Sequence, residues 1–152
     1  MNGTIKVCDI EKYYGTKDNI TKAVNRISFE VRSGEFVGVM GASGSGKTTL
    51  LNLMSTIDKV TSGHIWYGDT DITALSEDQL ADFRKEHLGF VFQDFNLLDT
   101  LTLEENITLA LSIRKRPAAE IREKAGAIME ELGIADVKKK FPYQVSGGQK
   151  QR

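Results

Sequence analysis

Cysteine is almost absent from this sequence: among 152 residues only Cys8 carries a thiol. A single cysteine forms no intramolecular disulfide, which favours a reducing compartment. An excess of charge is missing too. Lys and Arg number 20 against 21 Asp and Glu, for a net charge of -1. The balance holds locally, with eight of each sign up to Ser76 and twelve against thirteen after it. That excludes the basic footprint of a general nucleic-acid binder and a polybasic membrane anchor. Long apolar runs are lacking as well. None approaches the ~18 residues of a membrane-spanning helix, and Phe36–Met40 is among the longest. The opening Met1-Asn2-Gly3-Thr4 has no apolar signal-peptide core. What remains is 40% apolar and 27% charged, the composition of a folded domain. A chain of this length buries about two thirds of its unfolded surface and needs no disulfide or metal to do so. Proline occurs twice against fourteen glycines, and the glycines concentrate in two short clusters.

Around those clusters the patterning alternates between strand and helix. Ile5 and Val7, then Ile27, Phe29 and Val31, alternate with polar neighbours and read as half-buried strands. Phe36–Met40 reads as a strand covered on both faces. The first glycine cluster, Gly41 to Gly46, follows it and leads into a helix through Leu50, Leu51, Leu53 and Met54. His64–Tyr67 is a short strand, and Leu88–Phe92 a second apolar one. Ser76-Glu77-Asp78-Gln79 and Thr102-Leu103-Glu104-Glu105 have the pattern of capping boxes that open helices. A third helix spans about Ala118 to Leu132, with Gly133 as its stop. Gly147-Gly148 open another. No internal repeat or linker is present. The alternation predicts an α/β layer fold, strand-rich in the first hundred residues and mostly helical after them.

Gly41-Ala42-Ser43-Gly44-Ser45-Gly46-Lys47-Thr48 matches the phosphate-loop pattern G-x-x-x-x-G-K-[ST] at every specified position. Glycines let the backbone turn tightly and aim successive N–H groups inward as an anion nest. A helix starting near Lys47 adds its unpaired N-terminal amides and dipole. Lys47 is a point charge for the β and γ phosphates, and Thr48 offers a hydroxyl to Mg²⁺. The strand before the loop and the helix after it complete the context. The pattern identifies a nucleotide-binding loop without choosing among families that carry one. Many of these place an Mg²⁺ aspartate at the end of a downstream apolar strand. Here Gln93 holds the strand end and Asp94 comes one place late, so either Asp94 is that aspartate or Gln93 is itself the functional side chain.

Val145-Ser146-Gly147-Gly148-Gln149 decides between them. With the phosphate loop upstream, this segment resembles the Leu-Ser-Gly-Gly-Gln signature of the ATP-binding subunits of ABC transporters, with Val145 in the first position. The resemblance covers the whole chain. It implies an α/β P-loop ATPase fold of the ABC type: a nucleotide-binding core with an antiparallel β subdomain over residues 1–94, and a helical subdomain over 95–152 that ends in the signature. It implies ATP and Mg²⁺ as ligands, with Gly41–Lys47, Thr48 and Thr49 around the phosphates. Phe90-Val91-Phe92-Gln93 resembles the family's Q-loop, which would put Gln93 near Mg²⁺ and the attacking water. Tyr14 resembles the aromatic that stacks on adenine, with Tyr13 as the other candidate. Val145, Ser146, Gly147, Gly148 and Gln149 would reach, in trans, the γ-phosphate held by a second ATP-binding subunit. A permease helix would dock near Phe95, Leu97 and Leu98. The subunit would lie at the inner face of the plasma membrane through that permease.

The stretches Asp71–Arg84 and Phe95–Thr102 resemble most closely the exporters of bacitracin, macrolides and lipoproteins. The residues that the family places after the signature helix (an aspartate for Mg²⁺, a catalytic glutamate, a switch histidine) would follow Arg152. These 152 residues are therefore expected to bind nucleotide weakly at most and not to hydrolyse it. Their alternative reading is a non-hydrolysing remnant that binds nucleotide or a partner. A soluble DNA-repair or translation member is disfavoured by the charge balance. Lys138–Lys140 reads as a solvated face. His64 and His87 lack metal-ligand spacing, and Cys8 reads as a small buried apolar residue.

Overall fold

A computed structural model describes residues 4–16, 19–92 and 94–152, which form two compact units, 1–89 and 90–152. The first is built on an antiparallel sheet. Strands β1 (Ile5–Thr16), β2 (Asn19–Val31), β3 (Ser62–Tyr67) and β4 (Thr70–Asp71) lie in the order β2-β1-β3-β4. Helices α1 (Lys47–Met54) and α2 (Glu77–His87) cover one face. The core joins Val7 and Ile10 of β1, Val24 of β2, Ile65 of β3, Leu50 and Leu53 of α1, and Leu80 and Phe83 of α2. Tyr67 closes it, meeting Phe83 edge to face at 5.2 Å. Its hydroxyl donates to the Met54 carbonyl oxygen at 2.8 Å, and burial pushes its pKa up to about 12. The predicted box at Ser76 forms: the Ser76 hydroxyl accepts from Gln79 N–H while the Gln79 side chain accepts from Ser76 N–H.

Simple alternation breaks down within β1. The β1–β2 and β1–β3 registers both shift after residues 7 and 8, around Asp9, whose φ is 45°. A bulge places one extra residue on the strand. Val7 and Ile10, three apart, therefore both face the core at 2% and 0% exposure. The Ser28 hydroxyl accepts from Asp9 N–H and donates to Asp9 Oδ1, both at 2.8 Å, which satisfies the amide that the ladder leaves free.

Two expected strands are not strands. Phe36–Met40 pairs with no strand among the described residues, and Phe36 and Met40 are 101% and 93% exposed. Leu88 ends α2, its N–H donating to the Arg84 carbonyl, and Phe90–Phe92 are exposed without ladder bonds. A doubly covered strand needs neighbours on both edges and layers on both faces, and neither segment has them among these residues. Cys8, expected to be buried, is only half-buried, because it lies opposite His64 on the outward-facing side of the sheet.

The second unit is helical: α3 (Leu103–Ile113), α4 (Ala118–Glu131) and α5 (Gly147–Gln151). Leu103, Ala125, Met129, Ile134 and Val137 form its core. Gly133, at φ 63°, stops α4 as expected. The first amides of α3 are all satisfied. Leu103 and Glu104 N–H donate to the carbonyls of Lys140 and Lys138, each at 2.9 Å, and Glu105 N–H donates to the Thr102 hydroxyl at 3.3 Å. The lysine run is partly exposed as expected, and its backbone also caps α3. Thr102→Ala should lower unfolding stability by about 1 kcal/mol, read from the urea midpoint. Thr102→Ser, which keeps the hydroxyl, should be close to neutral.

Candidate functional site

The loop Gly41–Gly46 enters α1 through Gly46, which sits at φ 89°. A Cβ there would stand 2.2 Å from the Ala23 carbonyl oxygen, so β2 itself requires glycine at this position. Ser45 N–H donates to the Ala42 carbonyl at 3.2 Å, tightening the loop, and Leu50 N–H donates to the Gly46 carbonyl at 2.8 Å. Lys47 arches back, its Nζ donating to the carbonyls of Gly41 and Ala42 at 3.0 and 2.7 Å. The ammonium is thereby held over the loop at the end of α1 where the first amides lack partners within the helix. Ala42, Ser43, Gly44, Ser45 and Thr48 are exposed, with Thr49 half-buried behind them. Exposed loop residues, the Lys47 cation and the Thr48 hydroxyl lie within eight consecutive residues, a donor set whose chemistry suits a phosphate chain with its metal.

Tyr14 stands on the α1 side of β1 and Tyr13 on the other. Beyond the bulge, Ile10, Lys12 and Tyr14 share a face, and Glu11 and Tyr13 share the opposite one. The Tyr13 hydroxyl donates to Glu11 Oε2 at 2.8 Å. The Tyr14 hydroxyl instead bonds to Asp58 Oδ2 at 2.6 Å and also interacts with the Thr49 side chain. Lys12 Nζ donates to Asp58 Oδ1 at 2.5 Å and lies 4.9 Å from the centre of the Tyr14 ring. Lys12 and Asp58 are absent from the sequence reading. Alternation could have paired Lys12 with Tyr14, but nothing local points 44 residues ahead to Asp58.

Burial pushes the Asp58 carboxyl up, but hydrogen bonds from Lys12, Tyr14 and the Lys59 N–H outweigh it and hold the pKa below the ordinary 3.8. A depressed carboxylate stabilises the fold above the unfolded value and loses that contribution as pH falls through the folded one. Thermal stability should therefore decline below about pH 4, and Asp58→Asn should flatten that decline. An unchanged slope would mean that the network contributes nothing to stability.

In the second unit Ser146 N-caps α5. Its N–H donates to Gln149 Oε1 at 3.0 Å, and its hydroxyl accepts from Gln149 N–H at 3.3 Å. Ser146, Gly147 and Gly148 are exposed; Val145 and Gln149 are half-buried. Phe95 and Leu98 are exposed, whereas Leu97 packs against the helical core. Gln93 lies outside the described residues. No group of three or more His, Cys, Asp or Glu that could hold a metal occurs among the described residues. No helix among them is long and apolar enough to cross a membrane.

Known proteins agree with one another on what this chain resembles. Bacitracin export ATP-binding protein BceA of Halalkalibacterium halodurans is 53% identical over 148 residues, which is 97% of this chain and 58% of that protein. ABC transporter ATP-binding protein YxdL of Bacillus subtilis is 48% identical over 153 residues, covering 100% and 59%. Macrolide export ATP-binding/permease protein MacB of Brucella abortus is 40% identical over 97% of this chain and 23% of its own length. The ATP-binding cassette MJ0796, solved as a dimer in a post-hydrolysis state bound to ADP and Pi, superposes with a TM-score of 0.88 at 34% identity, over 96% of this chain and 65% of that one. The chain thus spans about three fifths of the two most similar of these relatives. A family model described as ABC transporter matches residues 24–152, and on that match this chain belongs to the ABC transporter family.

Proposed function

We propose that the chain is the nucleotide-binding portion of the ATP-binding subunit of an ABC exporter. The full-length protein would bind MgATP and hydrolyse it to drive export or extraction of an antimicrobial peptide, a macrolide or a lipoprotein. The observation that carries this is the loop Gly41–Thr48 closing onto α1 with Lys47 held across it. Lys47 neutralises the β and γ phosphates, the amides of Gly41–Lys47 donate to phosphate oxygens, and the hydroxyl of Thr48, backed by Thr49, faces the metal. Mg²⁺, when bound, supplies charge neutralisation across the phosphates. Gln93 serves the metal and the attacking water, and Tyr14 carries the base. Saturable binding of a fluorescent ATP analogue, competed by both ATP and tripolyphosphate, is the expected result. Absence of binding at millimolar nucleotide would overturn the proposal.

Val145–Gln149 then serve a second subunit's phosphate loop. Gly147 and Gly148 support this reading. Both are exposed and helical, and a Cβ on either would meet nothing within 4 Å. Their own fold does not ask for glycine, unlike Gly46, and glycine in a helix costs about 1 kcal/mol against alanine. A surface that gives up this stability is suited to close approach from outside. Gly148→Ala should therefore leave the isolated chain as stable or slightly more so. In the full-length protein it should spare nucleotide binding and block turnover. Unimpaired turnover would remove the half-site role. Phe95, Leu97 and Leu98 are proposed to meet a permease helix, which would keep the subunit peripheral on the cytoplasmic side of the membrane. The bacitracin, pyoverdine and macrolide export proteins among the relatives favour an exporter.

A further inference from the structure

We propose that Asp58 is a positioning residue for the nucleobase: it locks the Tyr14 ring upright beside the phosphate loop, while Lys12 closes one face of that ring and leaves the other for stacking. The inference rests on the reading of Tyr14 as the base platform and adds to it the groups that hold the platform still.

Tyr14 is 43% exposed and pairs with Thr21 where β1 and β2 run on beyond the end of their pairing with β3. Its orientation is set by polar contacts. Asp58 Oδ2 takes the phenol hydroxyl at 2.6 Å, and Asp58 Oδ1 takes Lys12 Nζ at 2.5 Å and Lys59 N–H at 2.7 Å. The same ammonium donates to the Lys59 carbonyl at 2.8 Å and stands over the ring. Asp58 is itself fixed through the turn after α1. Ile57 and Asp58 N–H donate to the Asn52 carbonyl, and Arg84 of α2 donates to the Thr56 carbonyl and hydroxyl at 2.9 and 3.1 Å. Thr61 N–H donates to the Glu11 carbonyl at 2.8 Å, tying the far end of that turn to β1. The carboxylate is thus anchored to α1, α2 and β1, and its bond to the phenol hydroxyl passes that rigidity to Tyr14.

A ring ordered in advance does not pay its ordering entropy when the base arrives. Releasing one rotamer-rich side chain should weaken base binding about two- to tenfold. The phosphates are held by other residues, so their affinity should not change. The hydroxyl and Asp58 Oδ2 share one bond, so the combined loss should be smaller than the two single losses taken together.

The experiment is a titration of the 152-residue chain with ATP and, separately, with tripolyphosphate, which has no base. Asp58→Asn and Tyr14→Phe should each weaken ATP about two- to tenfold, leave tripolyphosphate within about twofold, and when combined lose less than the product of the two single effects. Tyr14→Phe keeps the ring and the strand, so it remains informative if Asp58→Asn disturbs the fold. Equal weakening of both ligands in both variants would make the network merely structural and overturn the proposal. Normal ATP affinity in both variants, with Tyr14→Ala still weakening ATP about five- to 150-fold, would overturn it and leave Tyr14 as the platform. If Tyr14→Ala leaves the ratio of ATP to tripolyphosphate affinity unchanged, the platform reading and the proposal fall together.

Discussion

Lys47→Ala should abolish measurable ATP binding. In the folded chain the ammonium is directed by the carbonyls of Gly41 and Ala42, so its charge is aimed before any phosphate arrives. A phosphate chain carries several negative charges that water solvates strongly. The loop amides replace part of that solvation, and Lys47 supplies the compensating cation. Removing one partner of a desolvated charge pair costs about 2–5 kcal/mol, or at least about thirtyfold in affinity. From a chain whose binding is expected to be weak, that loss takes binding below detection. The fold should survive, because among the described residues the Lys47 side chain bonds to its own loop and lies outside the core. The check is a titration of wild type and variant with circular dichroism run beside it. Retained affinity within a few-fold, in a folded variant, would sink the assignment of the phosphate loop.

The second large effect concerns turnover. A polypeptide of these 152 residues should self-associate and release no phosphate from ATP above background. Phosphoryl transfer depends on charges positioned around the phosphates and the attacking water. In the proposed reading Lys47, Thr48 and Gln93 would supply a part of them. The carboxylates that the family resemblance implies would come after the signature helix, and this chain spans 58% of the bacitracin exporter subunit that it resembles. The exposed segments point the same way. Phe36 and Met40 at 101% and 93%, and Val91 at 87%, are apolar residues outside any helix or strand and without ladder partners among the described residues. Such backbone is a template for pairing with another chain, and such side chains favour association. Light scattering and a phosphate-release assay test both halves. A monodisperse chain with steady Mg²⁺-dependent hydrolysis, lost on Lys47→Ala, would overturn the expectation. The metal-holding role would then pass to Asp94, which is exposed and follows Gln93 directly.

Much of this was legible in the residues because the signals are local. A capping box is made within four consecutive residues, so Ser76 and Thr102 announced their helices, and both boxes form. Gly133 stops α4 by its own left-handed backbone. The phosphate loop is eight consecutive residues whose geometry follows from glycine, a helix start and one lysine. These features, with the signature at Val145–Gln149, were enough to reach the family without coordinates.

Other features depended on neighbours distant in sequence. The composition of Phe36–Met40 is that of a buried strand, but an apolar run specifies only a willingness to be covered, and ladder partners decide whether a strand exists. Val7 and Ile10 share a face because a bulge at Asp9 is stabilised by Ser28, nineteen residues away. The same extra residue turns Tyr14 toward α1, where unbroken alternation from Val7 would have turned Tyr13. Asp58 reaches Tyr14 across 44 residues because α1 and the turn after it fold back onto β1. The sequence by itself determined the family, the phosphate-loop pattern and the helix starts, since each is written within a few adjacent residues. Only the tertiary structure decided which tyrosine faces the loop, what holds it there and which apolar segments stay unpaired. Those outcomes depend on backbone and side-chain partners that the chain brings together only when it folds.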